Sequence, residues 1–277
     1  MWRLDQGWHK FARIKNEDSA GISPETSRKV VEAIEESIPL YDRVNDLISF
    51  GKAQVARKFA IQRLQLAEGA VVLDAGIGPG TTAKLIMEST KPSLLVGLDA
   101  SSKQLKTAKC NLGAVKPSLQ FVRGSFEFLP FRDDIFDAVI TCYALRDSLD
   151  IPSAIGEYHR VCAESSVFAD VDIGKPDDTL KRAGSVFYIR YLMPLIAKAA
   201  IYGKIKGNPW RMIVPTYKPL PTNGSLLSQM RNLFPTVEFK EFLMGGIIVV
   251  IGRMPSLNAI EEKPRNDQGR VWRTQEH

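Results

Sequence analysis

The stretch Val71-Val72-Leu73-Asp74-Ala75-Gly76-Ile77-Gly78-Pro79-Gly80 decides the fold. Three apolar residues read as the end of a buried strand. An acid follows, and then glycines at alternate positions, Gly76, Gly78 and Gly80. A second apolar run, Leu94-Leu95-Val96-Gly97-Leu98, closes on another acid, Asp99. Strand, glycine-rich turn, helix, then a strand ending in an acid is the pattern of a nucleotide-cofactor pocket. Such a pocket lies at the carboxyl edge of a parallel sheet.

The same alternation continues on both sides. Expected strands are about 70–75, 94–98, Leu119 to Val122, 136–141 and Ser166 to Val171. Expected helices are about 80–88, a helix capped by Ser101 with Gln104 closing a capping box, and about 152–162. Val237–Phe242 and Gly246–Ile251 read as a closing antiparallel pair. The expected fold is α/β: a doubly wound, mostly parallel, seven-stranded sheet with helices on both faces and an antiparallel final strand. Two extra helices precede it. One starts at Ser23-Pro24-Glu25 and stops at Pro39; the other runs from about Gly51 to Leu64.

These boundaries predict one domain over 23–254. Within it, 23–66 forms a helical lid and 179–224 an insertion covering the acceptor. In the insertion, 179–203 is a long apolar helical segment broken at Pro194, and 207–224 is a loop rich in Pro and Gly. Residues 1–22 read as a partly disordered extension and 255–277 as a charged, disordered tail.

The chemistry of the turn selects the cofactor. Glycine lets backbone approach a ligand closely. In the dinucleotide fingerprint, backbone N–H groups face a pyrophosphate. Here the third glycine comes one residue early and an acid precedes the first. A carboxylate there repels a pyrophosphate and suits a cationic amino-acid moiety such as that of S-adenosylmethionine. Asp99 is placed to accept the ribose hydroxyls.

Composition narrows the class further. The chain has 277 residues, of which 44% are hydrophobic and 25% charged, an ordinary globular balance. Cys110, Cys142 and Cys162 sit in or beside apolar runs and read as reduced core residues, as in a cytoplasmic protein. His9, His159 and His277 are scattered, so no metal is expected. A net charge of +6 spread along the chain gives no expectation of nucleic acid as a partner. The first residues, Met1-Trp2-Arg3-Leu4-Asp5, carry no apolar stretch of the signal-peptide kind. Val186 to Tyr202 carries charges and a proline, so it is not expected to span a bilayer.

Leu73-Asp74-Ala75-Gly76-Ile77-Gly78-Pro79-Gly80, Gly97-Leu98-Asp99, Gly124-Ser125-Phe126-Glu127-Phe128-Leu129-Pro130-Phe131 and Phe136-Asp137-Ala138-Val139 together resemble a class I S-adenosylmethionine-dependent methyltransferase. Further blocks resemble the ubiquinone/menaquinone biosynthesis C-methyltransferases. These are Tyr41 through Gly51, Tyr143-Ala144-Leu145-Arg146-Asp147, Gly174-Lys175-Pro176, Met193-Pro194-Leu195-Ile196 and Gly245 through Val249. The likeness runs from about Tyr41 to Gly252 and is thinner between Gly203 and Val237. The chain departs from the family pattern at Thr81 and Asp147, where the family usually has Asp and Asn. It departs again at Ser125, where Asp or Asn usually pairs with the adenine amine.

The resemblance implies cofactor binding by Asp74, Gly76, Gly78, Gly80, Thr81, Asp99, Ala100, Ser125, Phe126, Thr141 and Tyr41. It implies a catalytic group of Arg146, Asp147 and Tyr143. Carbon methylation of a hydroquinone requires removal of a phenolic proton and stabilisation of the phenolate. Asp147 would accept the proton through water, Arg146 would orient and stabilise, and Tyr143 would wall the ring. The apolar segment 186–202 suits a polyprenyl tail. Lys198, Lys204, Lys206 and Arg211 beside it suit peripheral contact with the inner face of a membrane; burial of the segment on the sheet or in a homodimer interface is the alternative. The acceptor expected is a lipophilic, demethylmenaquinol-like quinol. Another lipid or small aromatic acceptor, and a catalytically silent cofactor-binding assembly protein, stay open at this point.

Overall fold

The computed structural model describes residues 20–113, 118–205 and 207–255. The extension before residue 20, the tail beyond 255 and Lys206 lie outside the described residues.

Helices α1 (Pro24–Ser37), α2 (Tyr41–Ile48) and α3 (Lys52–Leu64) precede the sheet. Then follow β1 (Val71–Ala75), α4 (Thr81–Ser89), β2 (Leu94–Asp99), α5 (Ser102–Leu112), β3 (Leu119–Arg123) and β4 (Phe136–Cys142). The second half holds α6 (Ile151–Val161), β5 (Cys162–Ile173), α7 (Thr179–Phe187), α8 (Met193–Ala200), α9 (Ile213–Tyr217), α10 (Asn223–Leu233), β6 (Thr236–Phe242) and β7 (Ile247–Arg253). The strand order is β3-β2-β1-β4-β5-β7-β6. β7 runs antiparallel to both neighbours, and the pairings among β1 to β5 are parallel.

Alternating side chains divide the core in two, as a sheet covered on both faces requires. Val72, Ala138, Ile140, Val167, Ala169, Val249 and Ile251 face α3, α4 and α5. Leu73, Val139, Phe168, Ile248 and Val250 face α6 and α10. Tyr158, Phe168 and Phe234 stack through this second layer, with adjacent ring centroids 5.4 Å apart. The order in which strands are added reverses between β1 and β4, so a crevice opens at the carboxyl ends of the central strands.

The expected strands fall within a few residues of those observed, β5 being longer. Four features differ. The Ser101 hydroxyl accepts from the Gln104 N–H as a cap should, but Asp99 occupies the Ser101 N–H, so the Gln104 side chain does not close the box. The break in 179–203 is a π-helical turn at Tyr188–Leu192, and Pro194 opens the next helix; proline suits a helix's first turn because no N–H is needed there. Residues 207–224 are not a loop. They contain a 3-10 turn at Pro209–Met212 and α9, and they bury Trp210 and Tyr217. Finally, α10, capped by Thr222, had no counterpart in the reading of the sequence.

Candidate active site

Two cavities meet above the carboxyl edge of the sheet. The smaller, about 120 Å³, lies over the glycine turn between α1, the end of β2 and the 124–127 segment. The larger, about 520 Å³, lies under α1, α2 and the α7–α9 region. Tyr41, Arg57, Tyr143 and Asp147 line both.

The lining of the smaller cavity has the features that an adenosyl cofactor requires. Gly76 has φ of +84°, and a Cβ there would stand 2.5 Å from the Ala144 Cβ; a side chain would close the cradle. Asp99 is held from behind. Its Oδ2 accepts from the Gly78 N–H at 3.0 Å and its Oδ1 from the Ser101 N–H at 2.8 Å. Each oxygen keeps a lone pair for a ribose hydroxyl. Burial raises the Asp99 carboxyl, and these two amides pull it back.

Of the residues expected to bind the cofactor, Tyr41, Gly76, Gly78, Thr81, Asp99, Ala100, Ser125 and Phe126 line this cavity. Asp74, Gly80 and Thr141 do not. The space at Gly80 is filled by Leu112, which stands 3.0 Å from the position of a Cβ; this glycine serves the contact between α4 and α5. Thr141 is fully buried within β4. Asp74 points down beneath the turn, toward α3 and α4. Neither of its oxygens makes a hydrogen bond of good geometry, the Ala83 amide being the donor that faces it. Burial raises its carboxyl to about 7, against the opposing field of Arg57. It does not touch the space above the turn.

The departures at 81 and 125 have structural answers. Thr81 Oγ1 donates to Asp42, 2.8 Å from its Oδ2, and ties α2 to the head of α4. A carboxylate thus stands beside the third glycine, supplied by another helix. Ser125 donates to Glu127, whose buried carboxylate also lines the cavity and accepts from the Leu149 N–H at 2.7 Å. The acid absent at 125 appears two residues on.

At the larger cavity, Arg146 is no surface ion pair. Its Nη1 donates to Asp172 Oδ1 at 2.8 Å and to the Tyr143 carbonyl, and its Nε lies 3.6 Å from Asp147 Oδ1. Asp172 also accepts from the Arg146 N–H. Asp147 sits at the end of this chain of charges, facing both cavities. Burial raises its carboxyl to about 6, with Arg146 opposing. Tyr143 has φ of +59°. Its hydroxyl donates to the Ala53 carbonyl at 3.0 Å, and the Arg57 guanidinium lies 5.3 Å from its ring centroid.

The reading of the sequence missed Arg57, Asp42, Glu127 and Asp172. Arg57 carried a signal: with Ala53, Ala56, Ala60, Ile61 and Leu64 it lies on the apolar stripe of α3. Asp172 also carried one, since with Asp170 it puts two acids at alternate positions of the apolar run Val167 to Ile173.

No cluster of three or more metal-ligating side chains occurs among the described residues. The sequence pattern of the ubiE/COQ5 methyltransferase family matches residues 23–252. The chain is 30% identical to the ubiquinone/menaquinone biosynthesis C-methyltransferase UbiE of Geotalea uraniireducens, over 62% of this chain and 74% of that protein. It is 27% identical to the 2-phytyl-1,4-naphtoquinone methyltransferase of Thermosynechococcus vestitus, over 79% and 96%. A SAM-dependent methyltransferase from Thermotoga maritima shares the fold, with a TM-score of 0.53 and 16% identity over 81% of this chain and 99% of that one. With the cradle, the Asp99 carboxylate and this match in place, the chain belongs to the ubiE/COQ5 methyltransferase family and is an S-adenosylmethionine-dependent methyltransferase.

Proposed function

We propose that this enzyme methylates a ring carbon of a lipid quinol of the demethylmenaquinol type. One observation carries the reading: an apolar cavity of about 520 Å³ joins the cofactor cavity where a buried carboxylate and two guanidiniums converge. A small polar acceptor needs no such volume. The names of the two relatives above agree with a quinone-type acceptor.

When bound, S-adenosylmethionine supplies an electrophilic methyl group. The chain's residues supply orientation and proton handling. Asp147 takes the ring hydroxyl proton, directly or through one water. A phenol near pKa 10 lies about four units above Asp147, an uphill transfer of about 5 kcal/mol. The proton therefore moves as the ring carbon captures the methyl group, with Arg146 holding Asp147 and Tyr143 walling the ring. The ring hydrogen then leaves as a proton while Asp147 returns its proton to the oxygen, so the hydroxyl and the base are both restored and one proton is released per turnover.

The mouth of the larger cavity supports delivery from a bilayer. Phe50, Leu180 and Met244 line it and stand 65%, 82% and 77% exposed. Lys181 lines the same cavity, and Arg190, Lys198 and Lys204 lie in or beside the apolar segment 186–202, a pairing that suits an anionic lipid surface. No helix among the described residues is long and apolar enough to cross a membrane; the contact proposed is a peripheral one.

The test compares quinones extracted from cells with and without the gene. Accumulation of the demethylated quinone, reversed by the wild-type gene but not by Asp147→Asn, is expected. An unchanged quinone profile would overturn the assignment.

A further inference from the structure

Arg57 is the least explained charge in the molecule. It projects from α3 and is 5% exposed. One guanidinium nitrogen donates to Gln54 Oε1 at 3.0 Å, while Nε has no partner. Among the described residues it makes no ion pair, and it is the only lysine or arginine lining the cofactor cavity. The carboxylates of Asp74 and Asp42 act on it only through space, so the guanidinium keeps donors free to meet an anion that arrives.

We infer that Arg57 receives the α-carboxylate of S-adenosylmethionine and makes the amino-acid end of the cofactor a condition of tight binding. The inference rests on the cofactor assignment and is independent of the methyl acceptor. Sheet order gives the geometry. Asp99 ends β2, Tyr143 follows β4, and β1 with its glycine turn lies between them. Arg57 lies over Tyr143. Ribose and carboxylate sites are thus two strand spacings apart, about 10 Å, a span the extended cofactor bridges. Charge is matched along this line. Asp99 faces the ribose hydroxyls. The field of Asp74 beneath the turn favours the ammonium and sulfonium. Arg57 meets the only anionic group the cofactor has. The planar fork of arginine suits a carboxylate bidentately.

The experiment is titration calorimetry of the full chain with S-adenosylmethionine and with decarboxylated S-adenosylmethionine, which lacks only the carboxylate. The wild type is expected to bind the intact cofactor about 10–100-fold more tightly, the range of a charge-assisted bidentate contact. Arg57→Gln should bind both ligands alike, at the wild type's affinity for the decarboxylated one. Arg57→Lys should recover part of the preference. Equal wild-type affinity for the two ligands would overturn the inference, and this arm needs no variant to fold. So would an Arg57→Gln that keeps its cofactor affinity but raises the acceptor KM, since the guanidinium would then serve the quinol oxygen. A wild type that binds neither ligand would refute the cofactor assignment itself, a separate outcome.

Discussion

Asp74→Asn should make the ligand-free protein more stable and a poorer binder of its cofactor. Burial lifts the Asp74 carboxyl from 3.8 to about 7. In the unfolded chain it is already ionised at pH 5.5. A carboxyl raised by folding gives stability that is present at low pH and lost as pH rises through the folded value. Between pH 5.5 and 8.5 the folded chain sheds this proton and the unfolded chain sheds none. At about 1.4 kcal/mol per unit, over about 1.5 units, the group costs the wild type about 2 kcal/mol across that range. Asparagine keeps the shape and removes the titration. Urea denaturation at the two pH values should show the gap between variant and wild type widening by about 2 kcal/mol in the variant's favour. Calorimetry with S-adenosylmethionine should show about tenfold weaker binding, about 1.4 kcal/mol, because the field beneath the turn is gone. A gap that does not change with pH, or an unchanged affinity, would refute the electrostatic reasoning.

Three other outcomes follow from the site. Below pH 6, kcat/KM on the quinol should fall about tenfold per unit as Asp147 is protonated; Asp147→Asn should lose this limb along with most of the rate, and a limb that survives would place the base elsewhere. Asp172→Ala strips the 2.8 Å partner from buried Arg146 and should cost about 3–5 kcal/mol in denaturant titrations; a loss below about 1 kcal/mol would show that Asp147 alone suffices. Serine at Phe50, Leu180 and Met244 together should abolish sedimentation with anionic vesicles while leaving S-adenosylmethionine affinity intact. Undiminished sedimentation would move the membrane contact away from the cavity mouth.

How much was legible follows from what the sequence encodes locally. The glycine turn, the acid ending β2 and the alternation of apolar runs with capped helices are local, and they mark the sheet and the cofactor cavity. Residues 207–224 were misread because Pro and Gly suggested loop, whereas Trp210 and Tyr217 are buried and draw the segment into short helices. Asp74 was read as a pocket wall because it adjoins the glycines, but strand alternation turns it to the opposite side of the turn. Arg57 and Asp42 come from helices remote in sequence, so their meeting with Tyr143 and Thr81 exists only once the chain is folded. The Arg146–Asp147 pair was visible as a motif. Its anchor Asp172 arrives through pairing of β4 with β5.

The most direct measurement mixes purified protein with isotopically methyl-labelled S-adenosylmethionine and a chemically reduced demethylmenaquinol in detergent or vesicles, with products read by mass spectrometry. The account predicts label on a ring carbon, with one S-adenosylhomocysteine formed per quinol consumed. Binding of the donor without any label reaching the quinol ring would contradict it.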